Sequence, residues 1–250
     1  PQQYFDPYPW QKILMPPSVE NDLLDIPKAG LAGTQNEKNP IGQYPDNQKR
    51  MWTGYYASVA FMDEQVGRIV NELERLGLRD STAIVFASDH GYHLGEHGFW
   101  QKSNLHEEVT RVPLIMSVPG FKPGRSKSMT ELMDIFPTLS DLAGLKIPAT
   151  VQGKSLVPIL KDHDATVREE ALSLNKGGYS IRTSDWAFMR YPNGSTELYD
   201  MTSDPNQFTN LAGNSDYAKV RTRMAALLEN RLKVAGLATD SQDGKPKRAK

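Results

Sequence analysis

Four of the five histidines, His90, His93, His97 and His106, fall within one stretch of 17 residues, and Asp89 stands directly before the first of them. An adjacent Asp and His offer one carboxylate oxygen and one imidazole nitrogen to a metal ion. Taken alone, the pair reads as readily as a capping aspartate beside a surface histidine. Lys102 follows twelve residues after His90. Taken alone it reads as a solvated surface group, as most lysines are. Tyr92, His93, His97 and Trp100 share the same segment with glycines 91, 95 and 98. They could form a rim that meets a sugar, and a buried aromatic or a hydrogen-bonded structural histidine is an equal reading for each. Arg111 could pair with Glu107 or Glu108 as readily as touch a ligand, and it stays unassigned.

These residues need elements to hold them. Tyr55, Val59, Met62, Val66, Ile69, Leu73 and Leu76 alternate spacings of four and three, which predicts one apolar helical face beginning near Gln48 and stopped by Gly77. Thr82 to Ala87 is a short apolar, β-branched run, the pattern of a strand buried on both faces. Asp89 and His90 then lie beyond its carboxyl end, where open α/β sheets bind ligands. A second buried strand is expected at Pro113 to Val118, and a helical segment interrupted by Pro137 between Met129 and Ala143. Helix followed by buried strand, twice over, gives an α/β sheet.

After Thr166 the pattern changes to four short strand candidates, Ala171 to Leu174, Tyr179 to Arg182, Ala187 to Tyr191 and Glu197 to Tyr199, separated by turn residues. They predict a small antiparallel sheet, and the apolar spacing from Tyr217 to Val234 predicts a helix that covers it. Residues 1 to 47 hold eight of the 17 prolines and no sustained period, an ordered but irregular surface stretch. Residues 240 to 250 form a basic tail expected to be disordered and solvated.

Composition bounds the partners. The 250 residues are 38% hydrophobic and 24% charged, with a formal net charge of -1, so there is no electrostatic case for nucleic acid or an anionic membrane. No apolar run reaches the length of a membrane span. The chain has no cysteine, which excludes disulfides and thiolate ligands within it. It begins at Pro1 with no signal-like core, so the native start is expected upstream.

The stretch Ser88-Asp89-His90-Gly91-Tyr92-His93-Leu94-Gly95-Glu96-His97-Gly98-Phe99-Trp100-Gln101-Lys102 closely resembles a sulfatase signature, above all that of the sulfatases similar to iduronate-2-sulfatase. The resemblance continues in Asp63-Glu64-Gln65-Val66-Gly67, Arg111-Val112-Pro113-Leu114-Ile115, Asp134-Ile135-Phe136-Pro137-Thr138-Leu139 and Glu197-Leu198-Tyr199-Asp200. It implies an alkaline-phosphatase-like α/β fold: residues 1–166 as the second half of the catalytic domain with part of its large central sheet and flanking helices, then 167–239 as a C-terminal antiparallel-sheet subdomain. It also implies that Asp89 and His90 bind the catalytic divalent cation, calcium, with zinc as the alternative because calcium prefers oxygen to imidazole. Lys102 would contact the sulfate, and the substrate would be a sulfated carbohydrate.

Sulfatases carry a nucleophile motif, C/S-x-P/A-x-R, whose first residue becomes formylglycine, and an early Asp-Asp pair. Neither occurs here. The resemblance therefore implies an N-terminal half as partner, carrying the formylglycine, and a secreted, periplasmic or lysosomal setting. Two rivals stand beside it: a metal-dependent phosphodiesterase or phosphonate hydrolase of the same superfamily, and a non-catalytic binding chain.

Overall fold

The computed structural model describes residues 1–31, 41 and 45–237. The tail expected over 240–250 lies outside the described residues. The opening stretch is ordered in short 3-10 turns, Gln2–Tyr4, Trp10–Lys12 and Asp22–Leu24, with Ile13 and Ile26 buried.

Helix α1, Pro45–Arg75, runs 31 residues, about 46 Å at 1.5 Å per residue. It ends in a Schellman motif, with Leu78 N donating to Leu73 O at 2.9 Å and Gly77 N to Glu74 O at 3.0 Å. The helix is as the spacing predicts, but the face is not: Tyr55, Val59, Met62, Ile69 and Leu76 are exposed. α1 packs instead through Thr53 and Ala57, with Trp52 Nε1 donating to Leu94 O at 2.7 Å and Thr53 Oγ1 to Tyr8 O at 2.8 Å.

Strands β1, Ile84–Ala87, and β4, Leu114–Ser117, pair antiparallel with Ala87 opposite Leu114. The expectation that both are buried on two faces is corrected: Ala87 is exposed and Ile115 is 60% exposed. Among the described residues these two strands pair only with each other, so both outer edges of the ladder are unpaired. A continuous apolar run records what a strand is able to bury, not what covers it. Between them, β2 (His93–Leu94) and β3 (Trp100–Gln101) form a two-residue ladder, followed by the single turn α2, Glu107–Thr110.

Pro137 does not interrupt a helix. Helix α3 spans Ile135–Leu142, and Pro137 sits in its first turn, where an N–H has no intrahelical acceptor to lose. Asp134, fully buried at the head of α3, accepts from the backbone N–H groups of Glu131 at 2.8 Å and Lys154 at 2.7 Å. It also meets Arg168 at 2.5 Å, and Arg168 and Arg231 both reach Glu131 at 3.0 Å. This network joins α3 to the C-terminal part of the chain. Helix α4 is short, Val157–Lys161.

The C-terminal sheet is a four-stranded antiparallel meander, β5 (Glu170–Asn175), β6 (Gly178–Thr183), β7 (Trp186–Arg190) and β8 (Thr196–Asp200), crossed by α5, Ala218–Val234. Alternation along the strands divides the core. Ile181, Phe188 and Leu198 face Met224, Leu228 and Leu232 of α5. Ala187, Met189, Tyr191 and Tyr199 on the other face bury Leu105, three residues after Lys102. Fully burying a side chain of this size contributes roughly 1.5–3 kcal/mol. The sheet thus serves as the platform on which the histidine-rich segment is pinned.

Candidate functional site

Beyond the carboxyl end of β1 the backbone turns sharply. Ser88 Oγ donates to His90 O at 2.7 Å, and Asp89 Oδ1 accepts from His90 N at 3.0 Å. Gly91 N donates to Val109 O at 2.9 Å, and a Cβ on Gly91 would stand 1.8 Å from Glu108 O. Only glycine permits this approach of two backbones, and it brings α2 beside the Asp-His pair.

Asp89 and His90 then converge with Lys102. A carbonyl oxygen only accepts, so the 2.9 Å contact of His90 Nδ1 with Gly91 O places the ring proton on Nδ1 and leaves a lone pair on Nε2. Lys102 Nζ lies 2.5 Å from that nitrogen, and Asp89 Oδ2 lies 3.5 Å from it. The Asp89 side chain is 86% exposed and that of His90 34%. Lys102 is exposed as well. Residue Gln101, just before it, has φ +74, a left-handed backbone for a residue with a side chain, and this turns the chain as it leaves β3. One accessible cluster therefore holds a carboxylate, an oriented imidazole and an ammonium.

A 3.5 Å spacing allows Asp89 and His90 to share one cation, and the fixed Nδ1 proton orients Nε2 as a metal-binding histidine needs. The fit is partial. Among the described residues no group of three or more His, Asp or Glu is arranged to hold a metal ion. These two donors would supply only part of a shell.

The other sequence candidates point elsewhere. His93, His97 and Trp100 are buried, with 0%, 3% and 3% exposure, so the expectation that they line a sugar-facing rim is corrected: His93 and His97 pack against Phe99 and His106, and Trp100 lies at Gly95 beside Met15 and Pro16. Tyr92 is half-buried, its ring 5.9 Å from that of Tyr55. His93 Nε2 meets the Asn104 amide oxygen at 2.9 Å, and His97 Nδ1 meets Asp22 at 2.7 Å. Burial holds the His93 imidazole down at about 3, against the Asn104 contact that raises it, so the ring is neutral.

His106 and Glu197 form a pair that the residue order alone does not reveal. Both are fully buried, and Nε2 of His106 lies 3.1 Å from the carboxylate, in contact but not aligned as a hydrogen bond. Glu197 also accepts from the hydroxyls of Tyr191 and Tyr199, each at 2.5 Å. Burial alone would pull His106 down, but the charge of Glu197 beside it, with Glu108 and Asp22 behind, raises it. Burial alone would raise Glu197, but His106 and the two hydroxyls hold it below the ordinary carboxylate range. The pair fixes the segment after Lys102 onto β8. The one sequence signal for it is an acidic residue at a strand position whose neighbours are apolar.

Comparison with known proteins agrees with this architecture. The family described as Sulfatase matches residues 25–145, and that described as N-sulphoglucosamine sulphohydrolase, C-terminal, matches residues 95–234. An N-acetylglucosamine-6-O-sulfatase of Bacteroides thetaiotaomicron is 37% identical over 70% of this chain and 34% of its own length. A solved structure of a protein in complex with its substrate D-glucosamine-2-N,6-O-disulfate superposes with a TM-score of 0.72 at 34% identity, covering 80% of this chain and 43% of the other. The phosphonate monoester hydrolase of Agrobacterium radiobacter superposes with a TM-score of 0.68 at 29% identity, covering 77% of this chain and 43% of the other. The chain spans about a third to a half of the length of the curated relatives it matches. The fold is the alkaline-phosphatase-like α/β fold of the sulfatase structures it matches, and the chain belongs to the sulfatase family.

Proposed function

We propose that this chain contributes the cation- and sulfate-binding part of a sulfuric ester hydrolase acting on a sulfated sugar. The observation that carries the reading is the convergence of Asp89, His90 and Lys102 on one accessible point beyond β1. The relatives named above as acting on sulfated glucosamines support the substrate class. The finer resemblance to iduronate-2-sulfatase remains a proposal, as does a secreted, periplasmic or lysosomal setting.

Each residue then has a part. Asp89 and His90 supply two ligands to a divalent cation, calcium by the resemblance and zinc as the alternative, and such an ion neutralises sulfate oxygens when bound. Gly91 O holds His90 in the tautomer that keeps Nε2 available. Lys102 donates to a sulfate oxygen and stabilises the charge that grows on it as the ester bond breaks. The nucleophile, a formylglycine by the resemblance, comes from an N-terminal half that acts as the partner of these residues.

The test is Lys102→Ala in the full-length protein. A positioned ammonium is worth a few kcal/mol in the transition state, so kcat/KM for a sulfate ester is expected to fall about a hundredfold with little change in Tm. Near-normal kcat/KM would place Lys102 in solvent and remove it from the reaction. The likeness to a phosphonate monoester hydrolase favours a second reading, phosphonate ester hydrolysis. Parallel assays of an aryl sulfate and a phenyl phosphonate ester on one preparation separate the two.

A further inference from the structure

A cavity of about 210 Å³ opens where the segment after Lys102 meets the C-terminal sheet. Ser103 and Asn104 form one wall, and the β5–β6 turn, with Asn175 and Lys176, forms the other. Tyr191 closes it. The cavity is smaller than the roughly 300–1,000 Å³ of a drug-sized ligand site, so it would take a small ligand.

Its walls are fixed before any ligand arrives. Asn175 Nδ2 donates to Asn104 O at 3.3 Å, the Asn104 amide is held by His93, and the Tyr191 hydroxyl is held by Glu197. Two lining groups are left over. The Lys176 ammonium and the Ser103 hydroxyl have no hydrogen-bond or ion-pair partner among the described residues, and Lys176 is exposed. Lys176 also occupies a costly backbone position. With φ +48, followed by Gly177 at φ +80, it is the first central residue of a two-residue hairpin turn that favours Asn, Asp or Gly. The hairpin gains nothing from lysine there, and what lysine adds is a cation at the cavity. Left-handed residues of this kind gather at ligand sites.

Ser103 is the next residue after Lys102, so the cavity begins one residue from the sulfate-binding ammonium. We propose that it is a second carbohydrate subsite, in which Lys176 binds a second anionic substituent of a sugar whose scissile sulfate lies at Lys102. A compact ammonium suits either a second sulfate or a carboxylate. This rests on the sulfatase reading above.

The experiment uses Lys176→Asn in the full-length protein, because asparagine suits the turn and keeps the hairpin intact. Inhibition of aryl sulfate hydrolysis is measured with D-glucosamine-2-N,6-O-disulfate, with a monosulfated uronic acid and with glucosamine 6-sulfate. Losing a charge-assisted bond is expected to raise the inhibition constants of the dianionic sugars about tenfold, and to leave that of the monosulfate and the KM of the aryl sulfate unchanged. A rise for the disulfate alone identifies sulfate as the group read, and a rise for the uronate alone identifies carboxylate. Equal constants in variant and wild type, or an equal rise for the monosulfate, overturn the subsite. If the wild type turns over no aryl sulfate, the sulfatase reading fails first.

Discussion

Lys102 and Asp89 flank one imidazole nitrogen, so at the scale of single residues the site is a contest of charges around His90. Asp89 carries no described structural bond beyond the one to the next backbone N–H, which leaves its exposed carboxylate free to hold an ion. Asp89→Ala in the full-length protein is expected to lower bound cation and sulfate-ester turnover together. Elemental analysis that finds the wild-type metal content would take Asp89 out of the shell. Buried His93 and His106 answer to pH instead. His93 is held near 3 in the folded protein against about 6.5 when unfolded, so the folded state binds fewer protons. Its contribution is present above about 6.5 and is lost as pH falls toward 3. His106 is raised, which gives the opposite sign: its contribution is present below about 6.5 and lost as pH climbs through the folded value. Melting temperature is therefore expected to drop on acidification from pH 6.5 to 4, and His93→Gln to flatten that drop; an unchanged slope would show that His93 is not the group responsible. Of these residues, Asp89, His90 and Lys102 were legible as candidates because a long motif fixes their spacing, and the structure brings the three together. The sequence misplaced His93, His97 and Trp100, since residue type does not say which way a side chain points, and it missed Glu197, whose partner lies 91 positions away in the chain.

Elements were more legible where pattern and partner coincide. The meander β5–β8 and the helix α5 lie within a residue or two of their expected bounds, because alternation and helical spacing are answered by packing inside the chain itself. The pair β1 and β4 was found but not its half-exposed state, and the apolar face of α1 was found without anything to bury it. Junctions between elements are fixed by charge that no periodicity displays. Arg168 is the clearest example, since among the described residues it alone neutralises the fully buried Asp134 and also meets Glu131. Removing one partner of a buried ion pair leaves an uncompensated charge. Arg168→Ala is expected to destabilise the fold by about 3–5 kcal/mol, read by urea denaturation; a loss under about 1 kcal/mol would mean that water or Arg231 replaces it.

At the scale of the whole molecule, large apolar side chains stand in solvent on α1, β4 and α3, among them Ile69 at 64%, Ile115 at 60% and Phe136 at 56%. Exposed apolar side chains of this size supply what an interaction face buries. It agrees with the proposal that an N-terminal half supplies the nucleophile, and on that proposal the 250-residue chain alone hydrolyses no sulfate ester. Robust turnover of an aryl sulfate by the purified chain would overturn this. No described helix is long and apolar enough to cross a membrane.

The opening stretch is stitched to the closing sheet. Asn210 donates to Asp25 twice at 2.8 Å, from its backbone N–H and its side-chain amide, Asp22 holds His97, and Gly30 packs against Glu197 so closely that a Cβ would lie 2.2 Å from the carboxylate. Asp25 and Asn210 are 185 positions apart. At roughly 5–20 residues per second of synthesis, the first of these residues leaves the ribosome about 10–40 s before its partner exists. Tyr4 and Tyr8 meet α1 early, but Asp25 and Gly30 have nothing to settle on until the sheet that receives them has been made. The contacts of Asp25 and Gly30 with the closing sheet can therefore form only when nearly all of the chain that carries them has emerged.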